Sequence, residues 1–544
     1  MSRTKHNIYM FLFIAMLMLF MGIISLDEAH ALNVTDEDYV QLDGGVVNTS
    51  DLTEASHLRI TGDTTIYINK DVNIGRIYID NCKLTLKGNS KNLLTISSIL
   101  ANVKGDPDKQ GLDVESGNIR VAVWNDDPLG QDAAAVSLQK ASFCISGGTI
   151  ELHVSDILLA GNGIFADSLT LNGGGLNIEM KEGQQYHNFG EMGASLNGIR
   201  ATKTTINAGV VKISVTGLDY LGAGVYGTLE MNGGTLDVDT SIYSWNGGLV
   251  LSGGIINAPN IYVRGGETVI SGGEIYTSRL NSNSNITIKE SAHVTAKGKT
   301  AIETNGSLQI SDHAWLYAEG TTCAVKGITP NSFDLNTHKV VSPASYSIKI
   351  QSSTRYLLWD NNTNAEALVL DVRPIVSFSK ATVALSTSSY EYTGNAIKPK
   401  PIVKYNGVVL ENGGDYSLGY ENNKAVGKAT IKVTGKRNYD GKKSISFKIN
   451  PKGTKINDLK GKKKRITVKW DKQTTQTTGY QIRYSTKSNM NGAKTTKAKK
   501  SSTSKTIKKL KKNKKYYVQI RTYTKTADGT FYSKWSKKKS VKTK

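Results

Sequence analysis

The sequence predicts an all-β chain whose first and largest part is a parallel β-helix, followed by two smaller modules of short strands. Three observations predict this. A pattern of strand, Gly-Gly step and strand returns between Leu169 and Tyr317. Its period is too short to hold an ordinary helix, and no long Ala/Leu/Glu/Lys-rich periodic segment occurs among the 544 residues, 53 of them glycine and 9 proline.

The repeat reads Leu169-Thr-Leu-Asn-Gly-Gly-Gly-Leu-Asn-Ile178, then Leu229 to Val238, Leu249 to Ile256 and Val269 to Ile275, with degenerate copies from Thr205, Ile286 and Leu308. The markers Asn207, Asn232, Ser252, Ser271, Lys289 and Ser311 are 25, 20, 19, 18 and 22 residues apart. Each unit carries an apolar edge that only a neighbouring unit can bury. Coiling the chain with equivalent strands about 4.8 Å apart satisfies that demand and pairs every backbone group. Glycine suits a corner needing positive φ, and Asn172, Asn207 and Asn232 beside it are placed to form a side-chain ladder.

Taken in order, residues 1–31 read as an export signal: Arg3 and Lys5 precede an apolar run from Met10 to Ile24, and Ala29-His30-Ala31 is a small-x-small cleavage site. No integral membrane segment is expected after cleavage. Cys82, Cys144 and Cys323 are an odd set without zinc spacing and read as buried free thiols on strands, Cys144 most clearly. Leu32 to about Leu100 supplies atypical first coils, with Asp80-Asn81 at a corner. Longer spacings then project the loops Asn125 to Asp132, Lys181 to Ala194 and Val215 to Gly224. The repeat is lost from Ile328 to Pro374, where Tyr346 to Ile350 and Ala367 to Val372 are the expected closing strands.

The units Gly163 to Ile178 and Gly198 to Gly209 resemble the repeats of secreted right-handed β-helix proteins labelled carbohydrate-binding and related in fold to pectate lyases. That resemblance implies a glycan partner, a polysaccharide of host or plant origin, and calcium. Where such relatives carry Asp-Gly-Ile this chain has Asn162-Gly163-Ile164 and Asn197-Gly198-Ile199, so two carboxylates are missing. No metal site and no cofactor is therefore expected, with calcium left as what the resemblance alone implies.

Residues 375–450, with Tyr392-Thr-Gly394, Asp415-Tyr416, Tyr420-Glu-Asn-Asn423, Gly427 to Val433 and Asn438 to Lys442, resemble a bacterial immunoglobulin-like repeat of clostridial surface proteins. Residues 451–544 resemble fibronectin type III: Ile466 to Trp470 is like strand B, Gly479 to Tyr484 like strand C, and Leu510 with Tyr516 to Arg521 like the loop leucine, corner tyrosine and strand F. Both resemblances imply small β-sandwich modules that space and display. The expected division is thus 1–31 signal, 32–374 β-helix, 375–450 immunoglobulin-like, 451–544 fibronectin type III.

Charge singles out the last module. It holds 30 Lys and Arg against 3 Asp, a net of +27, so the preceding 450 residues carry a net of −5 within the chain's +22. Lys462, Lys463, Lys464, Arg465, Lys508, Lys509, Lys511, Lys512, Lys514 and Lys515 are the densest blocks and the expected contacts of an anionic polymer such as a Gram-positive cell wall provides. Nucleic acid is not expected, because of the export signal and the absence of a recognition motif.

For glycan binding the aromatics matter most, since aromatic faces with polar neighbours hold sugar rings. Tyr226, Tyr243, Trp245, Tyr262, Tyr276, Trp315 and Tyr317 recur in successive coils, and Tyr243, Trp245, Tyr226 and Tyr262 are the chosen ligand contacts. The expected function is a secreted, wall-associated protein that binds a glycan without catalysis. Two alternatives stand beside it. One is a polysaccharide lyase or glycoside hydrolase, for which Asp126, Asp127, Asp132, Asp237 and Asp239 are candidate acids and Arg200, Lys203 and Arg264 candidate bases. The other is a passive surface stalk.

Overall fold

Alternation of apolar and polar residues drives the first part of the structure, because only every second side chain can point inward. In the computed structural model the described residues are 39–544 apart from 53–56, 103, 125–132, 158–159, 183–194, 217–221, 330, 334, 344–345, 352–353 and 360–367. The export signal, Asp126, Asp127 and Asp132, and most of the three projecting loops lie outside them. Among the described residues the elements are strands and short 3-10 turns, without an α-helix. The described residues divide into two compact units, those up to 204 with 209–223, and those of 205–208 with 224–544.

In the first unit, strands pair in parallel with the strand one repeat later. Leu84, Leu112, Phe143 and Leu169 share one register and are all 0–1% exposed. Leu58, Ile77 and Ile99 make a second such row. Burying a side chain of this size is worth roughly 1.5–3 kcal/mol, so each added coil contributes several such increments.

The second unit continues the scheme. Val225, Ile242, Ile261, Leu280, Ile302 and Val325 form one inward row, and Met231, Leu251, Ile270, Ile288 and Ile310 another. The second glycine of each corner has positive φ: Gly234 77°, Gly254 88°, Gly273 70°. A Cβ on Gly273 would lie 2.4 Å from the Gly254 carbonyl oxygen, so conformation and stacking both require glycine there. In the degenerate copies Glu290 and Asp312 hold the left-handed conformation instead, at φ 55° and 59°.

The parallel stack ends on antiparallel strands. Trp315–Lys326 pairs with Val369–Pro374, which pairs in turn with His338–Ser342, while Tyr346–Gln351 and Thr354–Trp359 form a hairpin. Turning the last ladder antiparallel covers backbone groups that a bare edge would expose. Of these strands His338–Ser342 and Thr354–Trp359 were not legible in the sequence.

Two further cores follow. Phe378, Val403, Ile431, Phe447 and Ile449 centre the first, built on a four-stranded and a three-stranded sheet. Trp470, Tyr480, Ile482, Val518 and Ile520 centre the second, on a three-stranded and a five-stranded sheet.

Candidate functional site

Register builds the first candidate site. Tyr226, Tyr243 and Tyr262 are outward residues at directly paired positions of successive coils, because Val225, Ile242 and Ile261 beside them turn inward. Tyr226 and Tyr243 stack at 6.0 Å and 3°. Tyr262 tilts against Tyr243 at 5.8 Å. Trp245 lies in the turn after strand Ser241–Ser244, where Ser244 Oγ donates to the Gly247 carbonyl, and it stacks on Tyr243 at 5.8 Å and 19°. The Arg264 guanidinium sits 5.7 Å from the Tyr243 ring and 5.6 Å from Trp245. Arg279 lies 5.7 Å from Tyr262. The four chosen aromatics therefore form one cluster. Tyr226, Tyr243 and Tyr262 are each half-buried, whereas Trp245 is 43% exposed.

The other aromatics separate from this row. Tyr276 and Tyr317 belong to a different register line, Asn257, Tyr276, Thr295, Tyr317. Trp315 is held by its Nε1–H donating to Asp371 at 3.1 Å and by Arg373 at 5.1 Å, a packing role.

The candidate acids and bases among the described residues each have their own surroundings. Asp237 accepts from Asn257 at 2.5 Å, Arg200 lies 5.0 Å from the Phe165 ring, and Arg264 is committed to Tyr243 and Trp245. Asp239 is exposed just beyond the end of strand Thr235–Val238, and Lys203 is exposed. Sequence reasoning missed a tighter cluster in the first unit. Arg120 donates to Glu151 at 2.8 and 3.0 Å, and His153 lies 3.8 Å from Glu151 and 3.1 Å from Glu179. Arg120, His153 and Glu179 line a cleft of about 580 Å3.

Asparagine ladders form at two levels. Asn232 donates to Asn207 at 2.8 Å, as the corner spacing predicts, while Asn172 donates to Cys144 Sγ at 3.6 Å. Inside the first unit Asn197 donates to Asn162 at 3.1 Å and accepts from the Ala223 N–H at 3.3 Å, with the two asparagines 6% and 1% exposed. These are the positions where the resemblance implied carboxylates. The Asn162 oxygen accepts from Asn197 and the Asn197 oxygen from Ala223, and among the described residues no group of three His, Cys, Asp or Glu is placed to hold a metal.

One cysteine expectation needs correction. Cys82 and Cys323 are buried, and burial pushes the Cys82 thiol up from its ordinary range. Cys144 is only half-buried, because Phe143 and Ile145 take the inward positions on either side of it. Cys82 also sits in a bend ahead of strand Lys83–Gly88 and not on a strand.

The second candidate site is the basic end of the last module. Lys462, Lys463, Lys464 and Arg465 occupy the turn between strands Ile456–Lys462 and Arg465–Trp470, and Lys508, Lys509, Lys511, Lys512, Lys514 and Lys515 precede and open strand Lys515–Thr526. All ten are exposed. Backbone bonds tie the two blocks together: the Leu510 N–H donates to Lys464, the Lys464 N–H to Lys544, and the Lys544 N–H to Lys462. Buried Thr543 closes the assembly, its hydroxyl donating to the Lys511 carbonyl at 2.7 Å and accepting from the Lys514 N–H at 3.2 Å. Lys542 and Lys544 thereby join the cluster. Tyr516 acts as the corner residue, its Oη accepting from the Lys511 N–H at 3.0 Å.

The geometry defines an all-β chain in which a long array of parallel strands precedes two separately cored modules. A family model described as Fibronectin type III domain matches residues 450–539. Those residues are a C-terminal fibronectin type III domain. No curated protein matches the chain. Among solved structures, that of the chicken CNTN1 FN1-FN3 domains is similar at 12% identity, covering 38% of this chain and 90% of that one, with a TM-score of 0.18. A crystal structure of domains A168-A170 from titin is similar at 12% identity, covering 36% of this chain and 83% of that one, with a TM-score of 0.14.

Proposed function

We propose that this is a secreted, wall-associated modular protein that binds a glycan without transforming it. In this reading residues 1–31 direct export, and residues 32–374 are a right-handed parallel β-helix carrying the glycan site. Residues 375–450 are an immunoglobulin-like β-sandwich spacer of the clostridial type. The fibronectin type III module, a second β-sandwich, tethers the protein electrostatically to an anionic wall polymer. The observation that carries the glycan reading is the alignment of Tyr226, Tyr243 and Tyr262 on one face, with Trp245 exposed beside them. An aromatic surface flanked by Arg264 offers both the apolar platform and the polar donors that sugar rings take. The basic cluster supports the tether, because the same electrostatic attraction serves any polyanion and weakens with salt.

The test is retention of the secreted chain on a glycan array, with each retained polysaccharide assayed for new reducing or unsaturated ends. Retention that Trp245→Ala abolishes, without new ends, is the expected result. A second reading, a lyase or hydrolase, is favoured by the cleft lined by Arg120, His153 and Glu179, where the imidazole lies beside the Glu179 carboxylate and Arg120 is held by Glu151. New ends that disappear in Glu179→Gln would establish it in place of the first.

A further inference from the structure

The outward row that begins with three tyrosines does not stop at Tyr262. The same register continues through Asn281, Glu303 and Lys326, so one face of the stack changes from aromatic to charged along a single line. Beside the charged half lies a cleft of about 390 Å3, bordered by Arg279, Lys299, Lys326 and Glu303. Gly298 also lines it; a Cβ there would lie 2.3 Å from the Ser278 carbonyl oxygen, so strand packing keeps that position bare.

The charges in this cleft are unequal. Glu303 is already engaged: Arg279 bonds it, Asn281 donates to it at 3.3 Å, and Lys326 lies 3.8 Å away. Three cations against one carboxylate leave a net of +2. The Arg279 Nε–H is buried without an acceptor, a donor whose hydrogen bond is left unmade. An apolar group has no place here, and a neutral sugar hydroxyl would not balance the charge.

We propose that this cleft receives a tetrahedral oxyanion, a sulfate or phosphate ester carried on the glycan that lies along the row; this rests on the glycan reading above. The three cations stand on the successive paired strands Glu274–Ser282, His293–Thr304 and Trp315–Lys326, which offers a donor for each of the three peripheral oxygens of such an ester. A carboxylate offers two oxygens in one plane and is matched best by a free guanidinium fork, whereas Arg279 already bonds Glu303 through Nη2. Coils spaced about 4.8 Å apart let neighbouring sugars occupy the aromatic and charged halves together.

The experiment is equilibrium dialysis of the full chain with glucose sulfate, glucose phosphate, glucuronate and glucose. The C-terminal lysines also attract these anions, so the reading is the difference between the wild type and Lys299→Gln/Lys326→Gln, with Lys398→Gln/Lys428→Gln, two exposed lysines outside both the cleft and the basic cluster, as the control. Loss of two charge-assisted contacts should weaken ester binding by about tenfold or more in the cleft variant and leave it unchanged in the control. Lys299 is exposed, so the single variant Lys299→Gln keeps the test open if the double variant misfolds. Equal ester binding by wild type and cleft variants overturns the proposal, as does glucuronate binding as tightly as the esters. Glycan retention that still depends on Trp245 in either of those cases leaves the glycan reading standing while this one falls.

Discussion

The rings of Tyr226 and Tyr243 lie 3° from parallel with their centroids 6.0 Å apart, at directly paired positions of consecutive coils. Stacking of this kind uses the ring faces to hold the coils in register, so the row supports the fold as well as facing solvent. Each aromatic pair contributes about 0.5–1.5 kcal/mol beyond area burial. Tyr243→Leu breaks contacts with Tyr226, Trp245 and Tyr262 at once and should cost about 2 kcal/mol locally. Hydrogen exchange at the amides of Ile242 and Ile261 would read the loss.

Trp245→Ala should behave differently. With 43% of the residue exposed, its removal should cost about 1 kcal/mol or less. Glycan retention should fall in Trp245→Ala while exchange protection around Ile242 persists. Retention unchanged in Trp245→Ala would remove this tryptophan from the site.

The buried amide pair gives a sharper stability test. Asn197→Ala leaves the Asn162 oxygen and the Ala223 N–H without their partner inside the coil. Each orphaned buried group costs about 1–3 kcal/mol, so the variant should lose about 2–6 kcal/mol in the first unit. The chain has several cores and does not unfold in one step, so the measurement is exchange at Ile199 and Ile164, not a global midpoint. Protection equal to wild type would show that water replaces the lost bonds.

How far the sequence foretold these features depends on range. Corners at Gly234, Gly254 and Gly273 were legible because conformation and stacking both demand glycine at a fixed step. The partnership of Asn207 with Asn232 followed from the same spacing. The apolar neighbours Phe143 and Ile145 suggest a buried Cys144, but alternation turns it away from the face they share. His153 and Glu179 escaped notice, although each stands five residues after the second glycine of its corner, Gly148 and Gly174. The meeting of Lys462–Arg465 with Lys508–Lys515 depends on bonds across more than forty residues, which no local pattern encodes. The antiparallel closure was illegible for a related reason, since its strands have lost the repeat.

Alkaline pH should act on the module centred on Phe378 and Phe447. Burial raises the hydroxyl pKa of Tyr416, Tyr420 and Tyr439 above the ordinary tyrosine value, with Asp415 adding to the rise at Tyr416 and Tyr439. A folded value above the unfolded one means the stabilisation is complete below about pH 10 and is lost as pH climbs through the raised folded values. Phenolate absorbance followed together with circular dichroism should show these three ionising late and with unfolding. Ionisation at the ordinary value in a module that stays folded would contradict this.

The basic cluster can be weakened without removing a charge. Thr543 is 1% exposed, and its hydroxyl joins Lys511 and Lys514 to the C-terminal strand. Thr543→Val keeps the shape and removes the side-chain partner of the Lys511 carbonyl and the Lys514 N–H, at a cost of about 1–2 kcal/mol. The lysines should then spread apart, and the salt concentration that elutes the protein from an anionic polymer should fall. Lys463→Gln/Lys464→Gln/Lys511→Gln/Lys512→Gln should lower that salt concentration further and flatten its salt dependence, because fewer counterions are released on binding. The fold should hold in the quadruple variant, since all four side chains are exposed. Elution unchanged in the quadruple variant would place the polyanion contact elsewhere among the 30 basic residues of the module, whereas a drop in Thr543→Val alone would make the staple's geometry, and not charge, the controlling feature.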